Sequence, residues 1–127
     1  MSNASKIDRH AFQGRQVDEA SALAALGGSE DLLKELGTMF CEDAPQVLDE
    51  LEQAVTSGDL AAARLAAHSL KGLASTFFAR RTIDLAFRLE SEAANGNLAA
   101  LEEGGVEQLR ASISALAKEL EQRGFVA

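Results

Sequence analysis

The chain contains no tryptophan, no tyrosine, one proline and one cysteine in 127 residues. Each scarcity excludes something. A lone cysteine, Cys41, cannot form an internal disulfide, so a reducing, cytoplasmic compartment is expected. No apolar run approaches the ~20 residues of a membrane span, and the N-terminus lacks an apolar signal region. A membrane-inserted protein is therefore not expected. With a net charge of −8, the surface would repel nucleic-acid phosphates. No segment alternates apolar and polar residues for long enough to indicate a strand. What is abundant is alanine, leucine and glutamate, a balance that favours helices. The length suits one domain, large enough to bury a core without disulfides or metals.

Turn signals divide the chain. The opening MSNA reads as a vector-derived scar, so residues 1–6 are expected to be a tag or disordered leader and residues 7–124 the folded domain. His10, in the polar leader, is expected to be a solvated bystander. Val17 to Leu26 forms a short helix stopped by Gly27-Gly28, and Ser29 caps the next. There Leu32, Leu36, Met39/Phe40, Val47, Leu51 and Ala54/Val55 recur at helical spacing. Pro45 predicts either a kink or a break near Asp43. Ser57-Gly58-Asp59 ends that helix and caps another, in which Leu60, Ala63, Ala67, Leu70, Ala74 and Phe77 step by 3 and 4. A further helix runs from about Thr82 to Ala94, with Ile83, Ala86, Leu89 and Ala93 inward, and closes at Asn95-Gly96-Asn97. The last carries Val106, Leu109, Ile113, Leu116 and Leu120, with Gly104-Gly105 obscuring its start. The expected fold is all-α: an antiparallel, up-down-up-down four-helix bundle with an additional short N-terminal helix.

Residues 66–75, AAHSLKGLAS, pose the functional question. Glycine inside a helix costs about 1 kcal/mol relative to alanine, yet Gly72 lies one turn beyond the only mid-chain histidine. At about 100° per residue, Ala63, Ala67, Leu70, Ala74 and Phe77 point roughly 100–180° away from His68, which must then face solvent. Within about 60° of His68 lie Ala61, Arg64, Leu65, Lys71, Gly72 and Ser75. Three are small, two are basic and one is an exposed leucine. They predict a low, locally positive patch with an imidazole standing out of it. Gly72 leaves the turn above the imidazole bare, so that something large can approach.

Several chemistries lack their parts. Helical metal-ligand spacings such as Glu-x-x-His are absent, so no metal site is expected, and Cys41 has no recognisable activating base. Acid–base catalysis would need a pocket and an orienting carboxylate, and Ser69 is about 100° from His68. Neither GxGxxG nor a P-loop is present to hold a nucleotide. What remains is attack by a neutral imidazole on a phosphoryl group delivered by another protein, with Lys71 compensating oxygen charge.

AAHSLKGLAS resembles the phosphorylation-site motif of histidine-containing phosphotransfer (HPt) domains of two-component phosphorelays. Its flanks, FCEDAPQVLDELEQAVTSGDL and RLESEAANGN, extend the resemblance over most of the chain. The resemblance implies that His68 accepts phosphate from a receiver-domain aspartate and passes it to another. It implies that Lys71 helps hold the phosphoryl group and that Gly72 clears the docking surface, with Ala61, Arg64, Leu65 and Ser75 around it. The implied partners are response-regulator receiver domains, with a hybrid sensor histidine kinase as a further candidate. A monomer without cofactors or autokinase activity is implied, and the Mg²⁺ of the reaction belongs to the receiver. One departure is Phe78 in ASTFFARR, where the family usually has glycine. The competing readings are a helical adaptor whose histidine is incidental, and a metal-dependent or hydrolytic enzyme.

Overall fold

The computed structural model describes residues 15–127. His10 and the proposed leader lie outside the described residues. Helices α1 (Glu19–Ala25), α2 (Glu30–Ser57), α3 (Leu60–Ser75) and α4 (Arg80–Ala94) are followed by a single turn, α5 (Leu98–Ala100), a bend over Leu101–Gly105, and α6 (Val106–Gln122). Helices α2, α3, α4 and α6 close a ring: α2 packs on α3, α3 on α4, α4 on α6, and α6 back on α2. The fold is the expected all-α bundle, and no strand occurs among the described residues.

Local chemistry sets the helix limits. Ser29 Oγ accepts the Leu32 N–H at 3.1 Å, and Asp59 Oδ1 accepts the Ala62 N–H at 3.0 Å. Both side chains satisfy first-turn donors that a helix leaves without partners. The bend before α6 needs its glycines. Gly104 adopts φ +101°, and a Cβ on Gly105 would come within 2.6 Å of the Ala100 carbonyl oxygen and of Leu89 Cδ2. The last long helix therefore begins only after the pair.

The core is a stack of aliphatic side chains crossed by one aromatic pair. Phe40 of α2 meets Phe77 edge-on at 5.7 Å between ring centroids, and both are fully buried. Ala63, Ala67, Leu70 and Ala74 of α3 are completely inaccessible, as that helix's 3,4 pattern predicts. On α2 the stripe differs from expectation. Leu32 and Met39 are 37% and 50% exposed, while Leu33, Phe40 and Leu48 are buried and Val47 is only half-buried. The apolar pairs Leu32-Leu33, Met39-Phe40 and Val47-Leu48 fit two registers about 100° apart. Packing selects the second, which also turns Gly37 inward. The C-terminal strand of chain after α6 crosses there, and a Cβ on Gly37 would collide with the Phe125 carbonyl.

Helix α2 runs unbroken through Pro45, so the break near Asp43 does not occur. The proline sits on the exposed face, where the Cys41 carbonyl that loses its N–H donor is a turn earlier. At the other end of α3, Phe78 adopts φ +52°, the sole left-handed non-glycine among the described residues. The turn keeps the backbone shape that glycine adopts freely, and its bonds close α3: Phe78 N–H to the Ser75 carbonyl at 3.0 Å and Ala79 N–H to Ala74 at 3.4 Å. An L-residue held there costs about 1–2 kcal/mol.

The segment before α1 is held by a buried polar network. Glu119 of α6, 5% exposed, accepts the Val17 N–H at 3.0 Å and the Gln16 N–H, and pairs with Arg123 Nη1 at 2.8 Å. Arg123 reaches on to Glu19 at 2.9 Å, which ties α1 to α6. Thr82 of α4 bonds both Gln16 Oε1, at 2.6 Å, and Ser112 of α6, at 2.7 Å. The Asp18 N–H completes the clamp by donating to the Phe77 carbonyl at 3.0 Å. Removing the carboxylate would leave two N–H groups without their acceptor and would take from Arg123 one of its two carboxylate partners, Glu19 remaining. Glu119→Ala is expected to destabilise the fold by about 2–4 kcal/mol, measured by denaturant unfolding monitored by circular dichroism. An unchanged unfolding midpoint would show that the network adds nothing.

Candidate functional site

His68 stands in the middle of α3, opposite the alanine seam that buries the helix. Its side chain is 63% exposed, as the helical geometry requires. Ala61, Arg64, Leu65, Gly72 and Ser75 are all exposed on the same face, Leu65 by 69%. Among the described residues, nothing lies within 4 Å of where a Gly72 Cβ would be. The glycine is thus not needed for close packing, and its φ is not in the left-handed region. Beside it, Asp43, Gln46, Val47, Ser69, Leu73 and Thr76 line a groove of about 460 Å³ between α2 and α3. Ser75 turns back on its own helix, its Oγ donating to the Lys71 carbonyl at 2.7 Å.

The imidazole is not the isolated group that the sequence predicts. Glu90 of α4 approaches from the neighbouring helix and places Oε2 at 2.9 Å from His68 Nδ1. Its other oxygen, Oε1, lies 2.8 Å from Lys71 Nζ. One carboxylate holds both groups. A carboxylate only accepts, so Nδ1 of the neutral ring carries the proton and Nε2 keeps its lone pair. The positive patch is correspondingly weaker than predicted. Lys71 is drawn in to 26% side-chain exposure, lying 5.1 Å over the ring of Phe87, which is itself 56% exposed. Only Arg64 of the two basic residues remains fully on the surface.

Glu90 and Phe87 are the residues that sequence reasoning missed. In an antiparallel pair, residues advance in one helix as they retreat in the other. His68 with Glu90 and Lys71 with Phe87 are related by the same three-residue step. The signal was present in RLESEAANGN, but using it requires the centre of the turn near Ala79, which periodicity alone does not locate.

Chemically, the pair is an oriented imidazole on an exposed face. A carboxylate–histidine pair otherwise suits acid–base catalysis, but a ring 63% exposed has no walls to exclude water. Among the described residues no group of three or more His, Cys, Asp or Glu side chains could hold a metal ion, and no helix is long and apolar enough to cross a membrane. Cys41 is half-buried and its thiol pKa is raised by burial and by Glu121 and Glu42, which suppresses the thiolate.

A family model described as the Hpt domain matches residues 35–122, more than half of the chain and the whole of α3 and α4. The chain belongs to the Hpt domain family. Hpt domains are phosphotransfer intermediates rather than kinases, serve in phosphorelays and interact with receiver domains. No curated protein and no solved structure is matched.

The Glu90 contacts have a pH signature. Hydrogen bonding to Lys71 holds the Glu90 carboxyl below its ordinary value; burial opposes this, and the His68 bond adds to it. A depressed folded pKa contributes stability above the unfolded value, near 4.3, that is lost as pH falls through the lower folded value. Glu90→Gln is expected to lower the melting temperature at neutral pH, since Lys71 loses its counter-charge. The difference from the wild-type protein should close as pH drops below the ordinary glutamate range. A melting difference independent of pH from 7 to 3 would show that the charge is not what matters.

Proposed function

We propose that the protein is a phosphorelay intermediate in which His68 accepts a phosphoryl group from a receiver aspartate and passes it to another. The observation that supports this best is the pairing of His68 Nδ1 with Glu90 on an open surface. In the neutral ring, Nε2 attacks the phosphorus of the receiver's aspartyl phosphate. An N–P bond forms as the P–O bond to the aspartate breaks, and the electron pair leaves with the receiver's carboxylate. No proton has to move, because Nε2 carries none. The ring becomes a phospho-imidazolium that keeps its Nδ1 proton, and Glu90 lies where that positive charge develops. Reversal of the same step onto a second receiver completes the relay.

Lys71 has a part in this reading that depends on its release from Glu90. Its ammonium shares the Glu90 carboxylate with the imidazole, which puts it beside a phosphoryl group carried on His68, and the face of Phe87 lies 5.1 Å from that ammonium. Gly72 and Ser75, with Ala61, Arg64 and Leu65, form the surface on which the receiver sits, and Mg²⁺ is the receiver's. The working unit is residues 7–124, acting as a cytoplasmic monomer. A hybrid sensor histidine kinase is one source of the donor receiver.

His68→Gln is expected to abolish acid-labile labelling from a phosphorylated receiver while leaving the circular dichroism spectrum and melting temperature near those of the parent. Labelling that persists would move the site elsewhere, with His10 tested next. Glu90→Gln keeps an acceptor for Nδ1 but removes the charge, and should slow transfer about tenfold, since a charged hydrogen bond exceeds a neutral one by about 1–1.5 kcal/mol. An unaltered rate would mean that the carboxylate only positions the ring.

Gly72 separates fold from function. With open space around it, Gly72→Ala should raise stability by up to ~1 kcal/mol. Gly72→Gln should also keep the fold, yet its side chain leans toward the preceding turn, over the imidazole, and should sharply reduce phosphotransfer. A fall in melting temperature with transfer intact would assign this glycine to structure.

A further inference from the structure

We propose that the groove between α4 and α6 is a second docking surface, which takes a short acidic segment of a protein partner while the His68 face stays free. The groove has a volume of about 600 Å³, with Arg80, Arg81 and Arg88 around it and Leu85 and Ala111 on its apolar part. Among the described residues, Arg110 and Arg123 pair with carboxylates across helices, whereas none of these three guanidiniums pairs with any. All three are exposed, so they stand as a local positive patch on a chain with a net charge of −8. Asp84 is the one carboxylate in the groove.

The placement of two of the arginines is also unfavourable for the isolated helix. Arg80 and Arg81 occupy the first turn of α4, which carries no acidic residue and no side-chain cap from Ala79. Cations there oppose the macrodipole. An anion supplied from outside would satisfy both the guanidiniums and the helix end, and neither the packing nor the His68 chemistry uses these side chains.

The shape and charge select the occupant. Arg81 and Arg88 are seven residues apart, about 10 Å along the helix, which is the span of roughly three extended residues. Beyond Arg88 the groove meets Glu92 and Glu103, which end its positive stretch. A long polyanion such as nucleic acid would run into these carboxylates and into a net charge of −8. A few acidic side chains flanking one apolar side chain fit the guanidiniums and the Leu85–Ala111 surface together. Measured around α4 from Glu90, Arg81 and Arg88 point about 160–180° away. A segment bound there leaves His68 open, and the inference stands independently of the phosphotransfer reading.

The test is a titration of the ¹⁵N-labelled full chain with the blocked peptide Glu-Glu-Leu-Glu-Glu, followed by amide shifts. Shifts are expected at Leu85, Arg88 and Ala111, and not around His68. Replacing the peptide's glutamates by glutamine, raising NaCl from 50 to 300 mM, or introducing Arg81→Gln with Arg88→Gln should each weaken binding about tenfold. These side chains are exposed and Arg81 opposes the helix dipole, so the double variant should melt at or slightly above the parental temperature and accept phosphate at the parental rate. The glutamine-peptide and salt arms need no variant, so they decide the matter even if the double variant unfolds. Shifts confined to the His68 face, or no shifts at all, would overturn the proposal. So would equal shifts from inorganic phosphate at the same concentration, or tighter binding of a single-stranded oligonucleotide. A dimer in sedimentation that the arginine substitutions dissolve would assign the groove to self-association instead.

Discussion

The close packing of α3 against α4 is the constraint on which both fold and site depend. Alanine at positions 63, 67 and 74 keeps most of the inner side of α3 small around Leu70, and Ala86 and Ala93 do the same for α4 beside Leu89. Helices that approach closely bring side chains on their flanks within hydrogen-bonding reach. That is how a glutamate on one helix comes to hold a histidine and a lysine on the other. A bulkier seam would keep the core apolar but move Glu90 away from Nδ1. The reactive group thus owes its tautomer to a carboxylate that the packing of two helices brings within reach.

The turn between the two helices sets their register, and it does so under strain. Phe78 sits in the left-handed region, with Phe77 buried before it and Ala79 buried after it. The Asp18 N–H bonds the Phe77 carbonyl, so the segment before α1 is attached to this turn. The same segment is bound to Glu119, Thr82 and Ser112. A one-residue shift in the turn would displace Glu90 from His68 by about 100° around its helix. The polar network at this end of the bundle therefore supports the geometry of a site many residues distant in sequence.

The histidine face and the arginine groove show two ways of using charge on an acidic protein. At the histidine, a buried-edge carboxylate already neutralises the nearest cation, so the surface is ready for a phosphoryl group without being strongly basic. At the groove, three guanidiniums have no carboxylate partner among the described residues, and the helix dipole adds to their field. The first arrangement favours a reversible exchange of partners by Lys71; the second favours retention of an anion.

The sequence by itself determined the helical class, the limits of α3 and α4 to within about two residues, and the outward direction of His68. These follow from local rules: 3.6-residue periodicity, side-chain capping at Ser29 and Asp59, and glycine breaks. It also marked Lys71, Gly72 and the exposed residues around them, because neighbours on one helix are fixed by spacing alone. Tertiary structure decided the rest. The stripe of α2 was ambiguous because adjacent apolar pairs satisfy two registers, and only the crossing of the chain at Gly37 and the Phe40–Phe77 contact choose between them. The roles of Glu90 and Phe87 arise between helices, where distance depends on turn geometry and on how closely two backbones pack, so spacing along one helix could not assign them.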